Sequence, residues 1–314
     1  MRLLALLAAL LFASPAAAQS AAAGTAGAQF LKLGAGARAT AMGGACAASC
    51  DDAYSLYWNP AGLSRITSGG EADFFHGQPY GLLDYDYAAV AASVKSWDSV
   101  LAAGITRLGT SQQGYNASNR PTGGFTTQDL ALSLGIASRF EMRPDRTYED
   151  ERFLRAGAAI KLISQSAPGE QISGLAADLG LQGAAFEDAD NAVRLGFSVL
   201  NLGPGLGPAG ARSPLPASAN LGVAYTRWPS HLILTAELTR PVDGDVDLRL
   251  GLEWRPITYI AFRAGFSSMN SAGSVLDSLS LGGGLLFKSL EFGVSFVGQA
   301  DLGRTLLFDL KWRW

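Results

Sequence analysis

The run Thr305–Trp314, T-L-L-F-D-L-K-W-R-W, constrains the fold more than any other stretch of the chain. Read as a strand, it places Leu306, Phe308, Leu310, Trp312 and Trp314 on one face. Leu307, Asp309, Lys311 and Arg313 fall on the other. Successive side chains of a strand point to opposite faces, so one face meets an apolar medium and the other a polar one. A soluble sheet can carry one such segment. This chain carries many. Val246, Leu248, Leu250, Leu252 and Trp254 alternate with Asp247, Arg249, Gly251, Glu253 and Arg255. The same period recurs over 193–199, 231–239 and 290–297. A barrel in a membrane requires this pattern on strand after strand, with lipid outside and a polar lumen inside. Closure then pairs every backbone polar group that lies in hydrocarbon.

The expected fold is therefore all-β: a transmembrane antiparallel barrel of about 14 strands over 70–314, an even number as single-chain bacterial barrels have. The hydrophobic share of 48% fits strands, because no run after residue 18 is both long and uncharged enough for a helical span. Ser280, Gly282 and Gly284 put small residues on one inner face, which suits a narrow lumen partly filled by the chain itself. Trp97, Trp228, Trp254, Trp312 and Trp314 fall near the expected periplasmic strand ends, as an interfacial girdle would. Gaps 109–126, 165–173, 202–218 and 268–277 are expected as long extracellular loops; the charged segment 141–151, on the side expected to be short, marks either a slip in the strand count or a periplasmic excursion.

Two segments precede the strands. Residues 1–18 have the positive start, apolar core (Leu3 to Phe12) and small-residue end (Ala16-Ala17-Ala18) of a secretory signal, which implies export through the periplasm to the bacterial outer membrane. Residues 19–69 are rich in Gly and Ala and lack long alternation, and are expected to form an N-terminal plug, or hatch, in the barrel mouth. Cys46 and Cys50 are the only cysteines. In an oxidising compartment the pair is open to two readings, a local disulfide or two free thiols.

Catalysis has no support in the residues. His76 and His231 lack a nucleophile and orienting acid at a recognisable spacing. Gly34-x-Gly36-x-x-Ala39 mimics a dinucleotide fingerprint, but no βαβ unit follows. Asp188, Asp190 and Asn191 offer only a fragment of a calcium loop, and two cysteines alone make no zinc site. Asn116-Ala117-Ser118 matches a glycosylation triplet that arises readily by chance. The expectation is a non-enzyme with no cofactor and no metal. A net charge of −3 argues against a nucleic-acid partner. Inner-face charges, among them Arg155, Lys161, Asp178, Arg194, Glu237, Arg249, Glu253, Arg263 and Asp309, line a solute path or pair with one another and with the plug.

At 28–62, A-Q-F-L-K-L-G-A-G-A-R-A-T-A-M-G-G followed by D-D-A-Y-S-L-Y-W-N-P-A-G-L, the chain resembles the PorV/PorQ family of outer-membrane proteins. Asn59-Pro60-Ala61 resembles the hatch motif of the wider FadL-like transporters. Tyr85-Asp86-Tyr87 and Gly104–Leu108 look like early strands of the same family. The resemblance implies a 14-stranded barrel with an N-terminal plug. It also implies one of two tasks, beside a third, blander option of a structural barrel that only stabilises the envelope or another complex. The first is surface docking or shuttling for protein secretion of type IX kind, with secreted cargo or other machinery subunits as partners and loops 109–126 and 202–218 as the surface. The alternative is passive transport of hydrophobic compounds, by a lateral opening, with a hydrophobic small molecule as partner beside the membrane lipid. The transport reading expects an apolar pocket near Tyr54, Trp58 and Pro60. Tyr54, Trp58, Asn59, Pro60 and Ala61 are the candidate residues of the plug and ligand path. Pro60 fixes its own φ and biases Asn59 away from helix, so the same step also reads as a rigid turn that seats the plug.

Overall fold

The computed structural model describes residues 24–67, 69–141, 153–208, 210–270, 275–298 and 303–314. The expected signal segment and nearly all of the charged stretch 141–151 lie outside the described residues; only Glu141, the end of a strand, falls within them.

Fourteen antiparallel strands close into one barrel. They are β1 (Gly70–Gly77), β2 (Asp84–Val94), β3 (Ser99–Tyr115), β4 (Pro121–Glu141), β5 (Phe153–Ala167), β6 (Glu170–Glu187) and β7 (Asn191–Leu202). The circuit continues with β8 (Ser218–Arg227), β9 (Leu232–Pro241), β10 (Asp247–Ile257), β11 (Ile260–Ser267), β12 (Leu279–Leu286), β13 (Leu290–Gly298) and β14 (Arg304–Arg313). Each strand pairs with its sequence neighbours, and β1 closes on β14 from Glu71↔Arg313 to Gly77↔Leu307. No sheet edge is left to be satisfied in an apolar medium.

Sidedness follows the alternation. In β14, Leu306, Phe308, Leu310 and Trp312 are exposed, while Thr305, Leu307, Asp309 and Lys311 are buried inside. The same holds in β10, where Leu248, Leu250, Leu252 and Trp254 face out and Asp247 and Glu253 are buried. This is the inverse of a soluble protein, and it fits a hydrocarbon surround. Trp97, Trp228, Trp254, Trp312 and Trp314 are all exposed. They lie in turns or strand ends on the rim that carries the C-terminus, hereafter the terminal rim. No described helix is long and apolar enough to cross a membrane.

Two expected loops are corrected. Most of 109–126 is strand, because β3 and β4 run on to Tyr115 and from Pro121 and leave only a short turn. Likewise β5 and β6 take up most of 165–173. Ser, Thr and Gln dominate these extensions, so both faces suit water and no apolar alternation marks them as strand. The barrel wall is consequently tall over β3–β6, with strands of 17, 21, 15 and 18 residues, and low elsewhere. The gap 202–218 is a loop, but it folds inward. Leu206 and Leu215 are buried against Phe30, Leu31, Ile163 and Ala176. The smaller motifs are turn chemistry: Asn116 Oδ1 accepts from the backbone N–H groups of Ser118 and Arg120, and Asp188 Oδ1 from those of Asp190 and Asn191.

Candidate functional site

Residues 24–67 are packed inside the barrel and almost wholly buried, an inner segment ringed by strands. It consists of short turns: a 3-10 turn at Gln29–Lys32, a helical turn at Ala37–Ala41, another at Ser55–Trp58, and a 3-10 turn at Pro60–Arg65. No element here is long enough to satisfy its own backbone, so the barrel wall must supply partners. The Ala37 N–H donates to Asp309 of β14 at 2.7 Å, and the Ala47 N–H to Glu237 of β9 at 2.6 Å. The Ala53 N–H donates to Glu71 of β1 at 2.9 Å. Ser280 Oγ of β12 donates to the Ala41 carbonyl, and Thr40 shares a hydroxyl bond with Ser295 of β13.

Glycines let the two backbones touch. A Cβ at Gly196 would stand 2.0 Å from the Ala47 carbonyl oxygen, and one at Gly180 2.0 Å from Asn59 Oδ1. Gly36, at φ +84, takes a conformation L side chains rarely adopt and lies under the Tyr54 ring. This accounts for the glycine run that mimics a nucleotide fingerprint. Gly282 meets Ala41 in the same way, so the small inner face read from the sequence has the inner segment as its counterpart.

Many lumenal charges are paired. Arg38 of the inner segment donates Nε to Glu253 at 3.0 Å and Nη1 to Asp51 at 2.8 Å. Arg263 bridges Glu253 at 2.8 Å and Glu291 at 2.7 Å, and Lys161 lies 2.7 Å from Asp178. Arg249 holds Asp247 at 2.6 Å, and Lys311 holds Asp52 at 2.5 Å. Of the two readings offered for these charges, pairing with one another and with the inner segment describes the geometry. Near the terminal rim, burial and the like charges of Arg194 and Arg155 lower the Arg65 guanidinium to about 9. At the opposite, loop rim, Lys32 and Gln29 bond Asp243, in the loop after β9. Burial works to raise the Asp243 carboxyl, but those two bonds outweigh it and hold its pKa below the ordinary carboxylate value.

The candidate residues of the plug path come together, with distinct tasks. Asn59 is fully buried. Its Oδ1 accepts from the Ala61 N–H at 3.1 Å and so caps the turn that Pro60 opens. Its Nδ2 reaches the Ala47 carbonyl at 2.6 Å and the Leu181 carbonyl of β6 at 3.2 Å. Pro60 and Ala61 lie against Gly157 of β5. The step is thus a seat that fixes the inner segment to the β5–β7 wall. Tyr54 donates to the Phe74 carbonyl at 3.1 Å, and Trp58 Nε1 to the Ala35 carbonyl at 2.8 Å. The neighbouring Tyr57, which the sequence reading did not single out, crosses the segment by donating to the Leu31 carbonyl and accepting from the Gly34 N–H. Burial pushes its hydroxyl up to about 12, so it stays a neutral donor. Cys46 and Cys50 are disulfide-bonded with Cα atoms 5.1 Å apart, and both are buried.

On the loop-rim side a cavity of about 110 Å³ meets Trp58 and has a mixed lining, with Lys32, Asp247, Arg249 and Ser278 beside the apolar Leu33, Met269 and Val297. Tyr54 and Pro60 are packed away from it. The wall nearest Asn59 is irregular: pairing of β6 with β7 shifts register between Ala177 and Leu179 and again between Ala184 and Phe186. Asn201 there has φ +58 and gives its backbone N–H to the Asp178 carboxylate instead of the ladder.

No family model and no curated protein matches the chain in sequence. Solved structures share the fold. The toluene transporter TbuX of Ralstonia pickettii aligns with a TM-score of 0.57 at 15% identity, over 90% of this chain and 98% of that one. The CymD monoaromatic hydrocarbon channel aligns at 0.55 and 12%, again over 90% and 98%. A Pseudomonas aeruginosa FadL homologue aligns at 0.50 and 10%, over 88% and 97%. The chain is thus a 14-stranded barrel of the FadL-like, outer-membrane type in fold.

Proposed function

We propose that the chain is an outer-membrane channel, without enzymatic activity, for the passive entry of small hydrophobic molecules, with residues 24–67 as its plug. One observation carries this reading: the inner segment fills the lumen and is seated by Asn59 on a stretch of wall, β6–β7, whose ladder shifts twice among the described residues. A solute arriving at the loop rim meets the Trp58 cavity first. The route proposed from there leads through that irregular wall into the hydrocarbon layer, and it requires the close-packed Asn59 seat to move. The neighbours of like fold named above include a toluene transporter and a monoaromatic hydrocarbon channel, which supports this reading over secretion docking. So does the loop at 203–217, which buries Leu206 and Leu215 on the inner segment instead of presenting them to a partner.

The test is uptake of toluene and of a medium-chain fatty acid by liposomes holding the purified protein. The reading expects saturable uptake that changes when Asn59 is replaced by Ala. Uptake equal to empty liposomes for both solutes overturns it.

A further inference from the structure

Beneath the inner segment, near the terminal rim, three carboxylates converge. Asp52 comes from the segment, and Glu71 and Asp73 come from β1, two residues apart and therefore on the same lumenal face. All three are buried, and their ligand oxygens lie within 4.8 Å of one another. Part of this oxygen set is spoken for. Glu71 Oε1 accepts from the Ala53 N–H and Oε2 from Arg313 Nε at 2.7 Å. Asp52 Oδ2 accepts from Lys311.

The remainder is not. Asp52 Oδ1 and both oxygens of Asp73 have no hydrogen-bond partner, although Asp73 is only 3% exposed. Lys311 stands directly across the ladder from Asp73 but spends its ammonium on Asp52. Lys311 and Arg313 are moreover shared with Glu291, at 3.9 and 3.4 Å, so these two cations do not neutralise the three carboxylates. A buried carboxylate with neither ion partner nor donor is among the costliest arrangements a fold can hold. The orphaned oxygens belong to two different elements and share one small space.

We propose that Asp52, Glu71 and Asp73 bind a single hard divalent cation, Ca²⁺ or Mg²⁺, that fastens the inner segment to β1. Carboxylate oxygens without His or Cys select this class over zinc or copper. Asp73 offers both of its oxygens, Asp52 its free Oδ1, and Glu71 a second lone pair, with water completing the shell. The cation supplies the charge that Asp73 lacks and ties Asp52, six residues after Cys46, to the wall. This inference is independent of what the channel carries.

Isothermal titration of CaCl₂ and of MgCl₂ into the EDTA-stripped, folded protein in detergent tests it. One saturable site per chain is expected for at least one of the two ions, with a matching rise in unfolding temperature. Asp73→Asn removes the orphaned charge, so this variant folds with or without cation, and its affinity falls roughly tenfold or more. Asp52→Asn serves as a second variant with the same expected loss. Absence of saturable binding by both ions overturns the proposal, as does binding undiminished in both variants. A wild type indifferent to cations while Asp73→Asn is more stable in EDTA also overturns it, and assigns the site to a proton shared between Asp73 and Glu71.

Discussion

Arg38 and Glu253 meet at 3.0 Å inside the barrel, one from a five-residue helical turn of the inner segment and the other from the middle of β10. Glu253 is completely buried and also receives Arg263 and Arg255, so the pair sits in a network that joins the segment to the wall. Breaking one member of such a pair leaves a buried charge uncompensated. Arg38→Ala is expected to destabilise the seating of residues 24–67 by about 3–5 kcal/mol while the barrel persists. Hydrogen exchange of the segment amides, set beside the heat resistance of the folded barrel band on electrophoresis, checks this.

Asn59 is predicted to matter by a smaller amount. In Asn59→Ala the Ala61 N–H loses its partner in a dry site, while the Ala47 carbonyl keeps only the bond from Gln182 Nε2 at 3.0 Å. A loss of about 1–3 kcal/mol in thermal or denaturant unfolding is expected, as for one buried group left unsatisfied. Asn59→Asp keeps the cap on Ala61 but places a charge against carbonyls, and is expected to be worse than Ala.

Gly196→Val is predicted to expel the inner segment. Even a Cβ there collides with the Ala47 backbone. The barrel face of β7 is otherwise unchanged, so strands form and the lumen opens. Single-channel recordings in planar bilayers are expected to show higher conductance than wild type. Gly283→Ala, whose Cβ would meet only the Ala261 carbonyl oxygen at an ordinary 3.5 Å, is the silent control.

Acid is expected to release the upper end of the segment. The Asp243 carboxyl is held below its ordinary pKa by Lys32 and Gln29, so the tether adds stability above the ordinary value of about 4 and loses it as pH falls through the lower, folded value. Protection of amides 25–33 against exchange should therefore drop at acid pH in the wild type. It should already be low at neutral pH in Asp243→Asn.

Much of the fold was legible in the sequence because one physical constraint repeats. Every strand has hydrocarbon on one side, so β10, β13 and β14 announce themselves by strict alternation. The extensions of β3 and β4 past Leu108 were not legible, since Ser111, Gln112, Thr126 and Thr127 have water on both sides and carry no period. The Asn59-Pro60-Ala61 step stood out, yet its partners did not. Leu181 and Phe197 offer backbone carbonyls, which leave no mark in sequence. Arg38, Asp52 and Lys32 were also hidden. Each finds its partner more than two hundred residues away, through a register that only closure of the barrel sets.

The central claim is that fourteen strands present apolar side chains to lipid while the buried face holds the inner segment. Its most direct test is the collision accessibility of spin labels placed singly at 305–311 of β14 in liposomes. Labels at 306, 308 and 310 are predicted to be reached by oxygen dissolved in the bilayer. Labels at 305, 307, 309 and 311 are predicted to be shielded from it. Uniform accessibility along the strand, or an apolar face reached equally by a water-soluble relaxant, contradicts the account.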